Sequence, residues 1–333
     1  MRKALYILIL FVFTSSLSNA QVAKIQYLEN LPYDKYELED AEDNLTFYLS
    51  VNSSKQQLPL VVFIQGSGMN SLFSKAESGR IRSEYGHSSL YEISEDKFRI
   101  LLVEKPGVQY LQIGSSKPFD HQFSLESWTE TIVKAIKYTL ENEPIAKDKV
   151  LIIGHSEGGL VASRVARLLN DKVSNVAILS GEGPTQLYSL YKFAADGTFF
   201  NTKEHNMPSA AERLAYLKNT WKEILSDPNN TEKKFMGFTY LRWSSMLSTS
   251  VMEELAHFDN KILLVQGTDD KNVHPETSII SFTTLLSKGK DVALEIVEGA
   301  DHSFNISGNS SLDGWNLTLT KVIEWFLINK DTN

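Results

Sequence analysis

Short apolar runs alternate with amphipathic segments through most of the chain. Six short, mostly apolar runs predict strands, at residues 58–64, 98–103, 150–153, 176–179, 262–265 and 292–297, and the first three are expected to be buried. Apolar residues spaced three and four apart predict helices, at 124–141, 160–169 and 317–328. Because parallel strands need crossover helices, this alternation predicts an α/β fold with a mostly parallel central sheet flanked by helices.

Residues 182–259 interrupt the alternation. They contain no convincing strand, they predict a helix at 210–225, and they are rich in aromatic side chains. The segment is too long for an ordinary connection between two core strands. We therefore predict a helical cap at 182–259, inserted between two parts of the core at 21–181 and 260–333. Most of its aromatic residues would form the cap's own core, and the others would line an apolar pocket.

The strongest chemical signal is Gly154-x-Ser156-x-Gly158, which joins a predicted buried strand to a predicted helix. A nucleophile on such a turn needs a strained backbone. Glycines two residues before and after it remove the Cβ atoms that would clash with the strand and the helix. The turn would present the Ser156 hydroxyl near a helix N-terminus, where developing negative charge is stabilised. The motif therefore predicts a nucleophilic serine.

A nucleophilic serine needs a base, and the base needs a carboxylate that orients it. His302 follows the last predicted strand, and the loop after the fifth strand carries Asp269 and Asp270. Because the carboxyl ends of parallel strands meet at one edge of a sheet, both loops are expected near Ser156. We prefer Asp270 to Asp269 as the acid because of its place in the pattern G-x-x-D-x-x-V.

The other histidines fit the role of the base less well. His155 adjoins Ser156, but its side chain is expected to point away from the hydroxyl and to pack beneath the turn. His274 lies too near Asp270 in sequence to leave room for the triad geometry. The remaining four lie in predicted loops or in the cap, and we expect them at the surface: His87, His121, His205 and His257.

These motifs together resemble the α/β-hydrolase superfamily, from about Leu58 to the C-terminal helix. Residues 154–159 look like its nucleophile elbow, 267–273 like its acid loop and 300–304 like its histidine loop. Residues 65–68 (QGSG) occupy its oxyanion loop, where Gln65 stands in place of the family's usual histidine. The position of the cap and residues 266–268 (QGT) are similar to exported serine aminopeptidases and prolyl-oligopeptidase-like enzymes.

The resemblance implies a serine hydrolase whose catalytic residues are Ser156, Asp270 and His302. Its oxyanion hole would consist of the backbone N–H groups of Ser67 and Glu157. No metal or organic cofactor is implied, because the histidines are dispersed without ligand spacing and no phosphate-binding glycine loop is present.

Three functions fit this pattern. The preferred one is a serine hydrolase that cleaves a carboxylic ester, or a related acyl bond, of a small substrate through an acyl-enzyme. The alternative is an aminopeptidase, another peptidase or a thioesterase with the same triad. In an aminopeptidase, Glu182, Glu212 or Glu223 of the cap would recognise the free amino terminus of the substrate. A non-catalytic binding protein with this fold is less favoured, because all three triad positions are filled.

Composition narrows the range of partners. The 333 residues carry a net charge of -8 and no basic stretch interleaved with aromatic residues, so we expect no nucleic-acid partner. Cysteine is absent, which excludes disulfides, thiolate metal sites and a cysteine nucleophile. The expected partner is a small ester, amide or thioester substrate, and the oligomeric state stays open.

The N-terminus has the pattern of an export signal. Arg2 and Lys3 precede an apolar run at 4–13, and Ser18 and Ala20 stand at the -3 and -1 positions of a cleavage site. The apolar run is too short to span a bilayer comfortably. We predict a signal peptide at 1–20, a periplasmic or secreted mature protein, and no stable membrane insertion after cleavage.

Overall fold

The computed structural model describes residues 21–25, 31–39, 44–52, 56–201, 206–308 and 313–328. The predicted signal peptide at 1–20 and His205 lie outside the described residues. The described ranges contain a nine-stranded sheet packed between helices. None of their helices is long and apolar enough to cross a membrane.

The strands and helices that the sequence predicts are all present, together with others that it does not predict. In chain order the strands are β1 Gln21–Ile25, β2 Tyr33–Glu39, β3 Asn44–Ser50, β4 Leu58–Ile64, β5 Phe73–Lys75, β6 Ile81–Ser83, β7 Arg99–Val103, β8 Ile145–His155, β9 Asn175–Leu179, β10 Lys234–Phe235, β11 Phe238–Thr239, β12 Lys261–Gly267 and β13 Val292–Val297. The helices are α1 Ser88–Ser94, α2 Lys117–Gln122, α3 Leu125–Asn142, α4 Gly158–Leu168, α5 Gln186–Asp196, α6 Ala210–Ser226, α7 Tyr240–Met246, α8 Val251–Leu255, α9 Glu276–Ser287 and α10 Gly314–Leu327.

The large sheet has the spatial order β1-β2-β3-β7-β4-β8-β9-β12-β13. Its six strands from β7 to β13 are parallel, and they are the six that the sequence predicts. The prediction of an α/β fold with a mostly parallel central sheet flanked by helices is confirmed. The sequence did not predict the antiparallel strands β1 to β3. β2 buries Asp34 and Lys35 among its apolar residues and so lacks a continuous apolar run.

Alternate residues of the central strands face opposite sides of the sheet, as the pleat requires. On β4, Leu60 and Val62 pack in one hydrophobic cluster together with Trp128 of α3. Val61 of the same strand faces the other cluster, which contains Leu319 of α10. The central strands are therefore buried on both faces, which explains why they read as largely apolar runs.

The chain between β9 and β12 forms a separate helical layer. Helices α5, α6 and α7 pack around a third cluster that contains Phe200, Leu217 and Trp243. The sequence predicted no strand here, but the structure has a small hairpin of β10 and β11. Its turn residues Met236 and Gly237 have φ values of 45° and 83°, the combination of a two-residue turn that matches strand twist. Two strands of two residues each are too short to leave a periodic pattern.

His87 contradicts the expectation that it lies at the surface. Its ring is fully buried, with its centroid 5.0 Å from that of Phe73. Neither ring nitrogen has a hydrogen-bond partner among the described residues, and burial lowers the pKa of His87 to about 3. The ring is buried because it packs edge-on against the aromatic rings of Tyr33 and Phe73. His121 and His257 are exposed, as expected.

Candidate active site

Ser156 stands on the sharp turn between β8 and α4. Its φ is 55°, a left-handed conformation that costs a residue other than glycine about 1 kcal/mol or more. The backbone N–H of Ser156 donates to the carbonyl oxygen of Leu179, with 2.9 Å between the two atoms. A Cβ at Gly154 would lie 2.3 Å from the Gly158 carbonyl oxygen, and one at Gly158 would lie 2.3 Å from the Ile64 carbonyl oxygen. Both positions therefore need glycine, for the reason the motif suggests.

Asp270 and His302 meet at the carboxyl ends of β12 and β13. His302 Nδ1 lies 2.8 Å from Asp270 Oδ2, and the Asp270 side chain is buried. Its other oxygen, Oδ1, accepts the backbone N–H groups of Asn272 and Val273, at 2.8 and 2.9 Å. Burial by itself would raise the pKa of Asp270, but the hydrogen bonds and the charge of His302 outweigh it and lower that pKa. The carboxylate is thus ionised and aimed at the imidazole.

The three predicted catalytic residues converge on one cavity. Ser156 and His302 border a cavity of about 760 Å³, and Asp270 lies behind His302. Ser67 and Glu157, the predicted sources of the oxyanion donors, border the same cavity. The loop that carries Ser67 lies close against the nucleophile: a Cβ at Gly66 would be 3.1 Å from the Ser156 Cβ.

Aromatic side chains of the cap wall the other side of this cavity. They come from α5, the segment after it, the short hairpin and α7, and they are Phe193, Phe199, Phe238 and Trp243. Tyr240 and Trp221, two further aromatic residues of the cap, pack in the third hydrophobic cluster instead. The cavity is therefore partly apolar, and Ser156 and His302 also border it.

The sequence did not identify the contacts that hold the histidine loop. His155 Nε2 donates to the carbonyl oxygen of His302, with 3.1 Å between the atoms, and the two rings are 4.9 Å apart. His155 borders the cavity, and burial lowers its pKa to about 4, so the ring is neutral. Trp315 packs on His155 at 4.9 Å. In the sequence, the only indication of these contacts is that His155 directly precedes Ser156.

A buried ion pair joins the cap to the nucleophile elbow. Arg242 on α7 pairs through Nη2 with Oε2 of Glu157, and Gln186 Nε2 donates to the same oxygen at 3.2 Å. The guanidinium of Arg242 stacks on the ring of Trp243, 3.7 Å from its centroid. No sequence pattern indicates this contact, because 85 positions separate residues 157 and 242.

The three cap carboxylates that could recognise an amine lie in different places. Glu182 borders the cavity, and its Oε2 is buried without a hydrogen-bond donor among the described residues. Burial raises the pKa of Glu182 to about 8; the nearby Ser189 hydroxyl opposes this shift, although it lies outside hydrogen-bond geometry, and the charge of Asp270 adds to it. Glu212 is exposed and accepts the backbone N–H of Ser209 in a helix cap, and Glu223 is also exposed. Of these three carboxylates, only Glu182 borders the cavity.

No metal site is found in the part of the chain that the structure describes. Its His, Asp and Glu side chains form no group of three or more that could hold a metal ion.

A protein-family model described as the prolyl oligopeptidase family matches residues 127–326, which is more than half of the chain. The match includes the elbow, the acid loop and the histidine loop. Comparison with curated protein sequences finds no match.

Solved structures of esterases and peptidases share the fold. Est1E from Butyrivibrio proteoclasticus is 16% identical with a TM-score of 0.54, over 88% of this chain and 96% of Est1E. The acylaminoacyl peptidase of Pyrococcus horikoshii is 14% identical with a TM-score of 0.58, over 92% of this chain and 44% of the peptidase. Dipeptidyl peptidase 4 of Porphyromonas gingivalis is 12% identical with a TM-score of 0.57, over 89% of this chain and 35% of that enzyme. This chain thus spans nearly all of Est1E but less than half of either peptidase.

Proposed function

Because the chain belongs to the prolyl oligopeptidase family of serine hydrolases, we propose that it cleaves a carboxylic ester of a small substrate through an acyl-enzyme. One observation carries the proposal. The strained Ser156 elbow and the Asp270–His302 pair open on one cavity that is partly walled by cap aromatics.

The reaction follows from the arrangement of the three side chains. The Ser156 hydroxyl attacks the substrate carbonyl, and Nε2 of His302 takes its proton and then gives it to the leaving alcohol. Asp270 holds the proton of the imidazole on Nδ1 and stabilises the positive charge that His302 acquires. The backbone N–H groups of Ser67 and Glu157 donate to the tetrahedral oxyanion. A water molecule, deprotonated by His302, then releases the acid.

The size and lining of the cavity favour a small acyl group. Its volume of about 760 Å³ lies within the range of small-molecule pockets, and Phe193 and Phe238 supply apolar wall. A cap over the nucleophile restricts access by an internal segment of a folded protein. The comparison with Est1E supports the ester preference, since this chain and Est1E are similar over nearly their full lengths. A structure of Est1E with bound ferulic acid is also similar to this chain.

A panel of p-nitrophenyl esters of increasing acyl length tests the proposal. We expect turnover of short or aromatic acyl esters, labelling of Ser156 by a fluorophosphonate probe, and loss of both in Ser156→Ala with an unchanged melting temperature. Esterase activity that persists in Ser156→Ala would place the nucleophile elsewhere. A folded wild-type protein that the probe does not label would favour a binding protein.

An aminopeptidase is the second candidate, because one observation favours it. The buried, unpartnered Oε2 of Glu182 could accept a hydrogen bond from the ammonium group of a substrate. An ammonium close to this carboxylate would also lower its raised pKa. Aminoacyl anilides test this alternative against the esters. Amide turnover well above ester turnover, with a KM that rises in Glu182→Gln, would overturn the ester preference.

We also propose that residues 1–20 direct export of the protein to the periplasm or the medium. The charged residues, apolar run and small residues of the N-terminus support it. Expression of the full chain in a bacterial host, followed by fractionation and N-terminal sequencing, tests the proposal. A mature protein that begins at Gln21 outside the cytoplasm is the expected result. Uncleaved protein in the cytoplasm would contradict it.

A further inference from the structure

Lys105 lies directly beneath the loop that carries Ser67. It follows β7, and only 2% of its surface is exposed. Its ammonium Nζ donates to the carbonyl oxygen of Gly66 at 2.6 Å and to that of Gly68 at 2.9 Å. These two carbonyl groups flank Ser67 on either side, so a single cation spans the loop from below.

No carboxylate among the described residues lies within ion-pair distance of this ammonium. Within the described ranges Lys105 forms no ion pair, and the neighbouring Glu104 turns away to accept hydrogen bonds from Ser71 Oγ at 2.6 Å and Tyr48 OH at 2.9 Å. The rest of the Lys105 surroundings are aromatic, with the ring centroid of Trp128 4.6 Å from Nζ. Burial, with a further contribution from the charge of Arg242, lowers the pKa of Lys105 well below its usual value, and the charge of the neighbouring Glu104 opposes this shift only in part.

A buried cation without a carboxylate partner is costly, since removing an ammonium from water costs several kcal/mol even after relaxation. A methionine would fill the same aromatic surroundings without that cost. The two carbonyl oxygens of the loop accept the hydrogen bonds of the ammonium. The charge therefore acts on the loop that carries these two oxygens.

The peptide group between Gly66 and Ser67 links Lys105 to the cavity. In a trans peptide the C=O and N–H bonds point in opposite directions. A lysine that holds the Gly66 oxygen therefore fixes the direction of the Ser67 N–H, in a loop that lies against the nucleophile, since a Cβ at Gly66 would be 3.1 Å from the Ser156 Cβ. Glycine at positions 66 and 68 leaves this peptide free to rotate unless something holds it. The ammonium also polarises the peptide and strengthens its N–H as a donor.

We propose that Lys105 is a positioning residue that orients the Ser67 N–H toward the oxyanion, and whose buried charge favours the negative tetrahedral intermediate. The inference rests on the proposed hydrolase function. Lys105 touches neither substrate nor nucleophile and acts through the loop. Its contribution is therefore largest in the transition state and small in the ground state.

Four variants test this inference: Lys105→Met, Lys105→Gln, Lys105→Arg and, as a control, Lys35→Met. Lys35 is also a buried lysine, but it lies on β2 and pairs with Glu37 at 2.6 Å. For each variant we would measure the melting temperature, kcat and KM for a p-nitrophenyl ester, and the inhibition constant of a boronic acid. The boronic acid forms an anionic tetrahedral adduct with the serine and so reports on the oxyanion hole.

Lys105→Met is expected to lower kcat roughly 100-fold, the scale of losing one oxyanion donor, while KM changes little. Affinity for the boronic acid should fall by a similar factor. Lys105→Arg, which keeps the charge, should recover at least about tenfold of the lost kcat, and the neutral donor Lys105→Gln should recover less. Lys35→Met should keep the wild-type kcat.

A folded Lys105→Met protein with a near wild-type kcat and boronic acid affinity would overturn the inference. An equal loss in all variants, Lys105→Arg included, would also overturn it, because a purely structural role predicts that result. If Lys105→Met does not fold, Lys105→Gln decides by the same two measurements. Failure of the hydrolase proposal looks different, because the wild-type protein would then lack Ser156-dependent turnover.

Discussion

Replacement of Asp270 by asparagine removes one charge and forces a choice between two amide orientations. Asp270 Oδ1 accepts two backbone N–H groups, and Oδ2 accepts Gln266 Nε2 at 2.9 Å as well as His302 Nδ1 at 2.8 Å. An asparagine must keep its oxygen at the Oδ1 position, because its NH₂ group there would face two donors. The NH₂ group then faces Gln266 and His302.

A flip of the Gln266 amide would relieve this conflict, but it would break another hydrogen bond. Its Oε1 already accepts the hydroxyl of Ser278 at 3.0 Å, which sets the direction of the amide. His302 would therefore turn an unprotonated Nδ1 toward the new NH₂ group and carry its proton on Nε2. That tautomer cannot take the proton of Ser156.

The expected loss is large in rate and modest in stability. A base held in the wrong tautomer lowers kcat about 10⁴-fold, which corresponds to roughly 5.5 kcal/mol of activation free energy. The unpaired donors and the lost charge should destabilise the fold by about 1–3 kcal/mol. The lowered pKa of Asp270 stabilises the native state above the ordinary aspartate pKa, and this stabilisation is lost as pH falls through the native value. Asp270→Asn should therefore lose less stability in acid than the wild-type protein does.

Stopped-flow hydrolysis of a p-nitrophenyl ester, with urea unfolding at several pH values, measures both effects. Asp269→Asn is the matched control, because Asp269 is the exposed neighbour in the same loop. It should keep kcat within about twofold of the wild-type value. If Asp270→Asn kept kcat within about tenfold, the tautomer reasoning would be refuted. If Asp269→Asn were the damaging change, the choice of acid would be wrong.

Three further predictions concern stability. His87 has a pKa of about 3 in the folded protein against an ordinary value near 6.5, so the unfolded chain binds more protons between these values and stability rises with pH there. His87→Leu should remove this dependence, and its advantage over the wild type in urea unfolding should grow by about 1 kcal/mol per pH unit below pH 6. An advantage equal at pH 5 and pH 8 would contradict the burial of a neutral ring. Gly158→Ala would place a Cβ 2.3 Å from a backbone oxygen and should lower the melting temperature, with a loss of about 1–3 kcal/mol; an unchanged melting temperature would be the opposing result. Arg242→Met leaves the Glu157 carboxylate buried and unpaired and should cost about 3–5 kcal/mol, whereas the double variant with Glu157→Gln should recover part of that loss. A double variant less stable than Arg242→Met alone would argue against the pair.

The sequence by itself determined the features that depend on local pattern. The central parallel strands read as largely apolar runs because both of their faces are covered, and the glycines around Ser156 follow from the turn that a strand and a helix must make. The chain order of Ser156, Asp270 and His302 also follows from which loops leave the same edge of a parallel sheet. These predictions need only periodicity, spacing and the chirality of the fold.

Only the tertiary structure decided which polar groups meet across the chain. Lys105 contacts Gly66 from 39 positions away, and His155 contacts His302 from 147 positions away. The strands β1 to β3 and the burial of His87 belong to the same class, because packing against distant elements rather than local periodicity puts those residues inside. When a lysine or a glutamate follows a strand, the neighbouring sequence does not predict what its side chain contacts. Its environment, and hence its charge and its role, is set by residues that the linear pattern does not bring together.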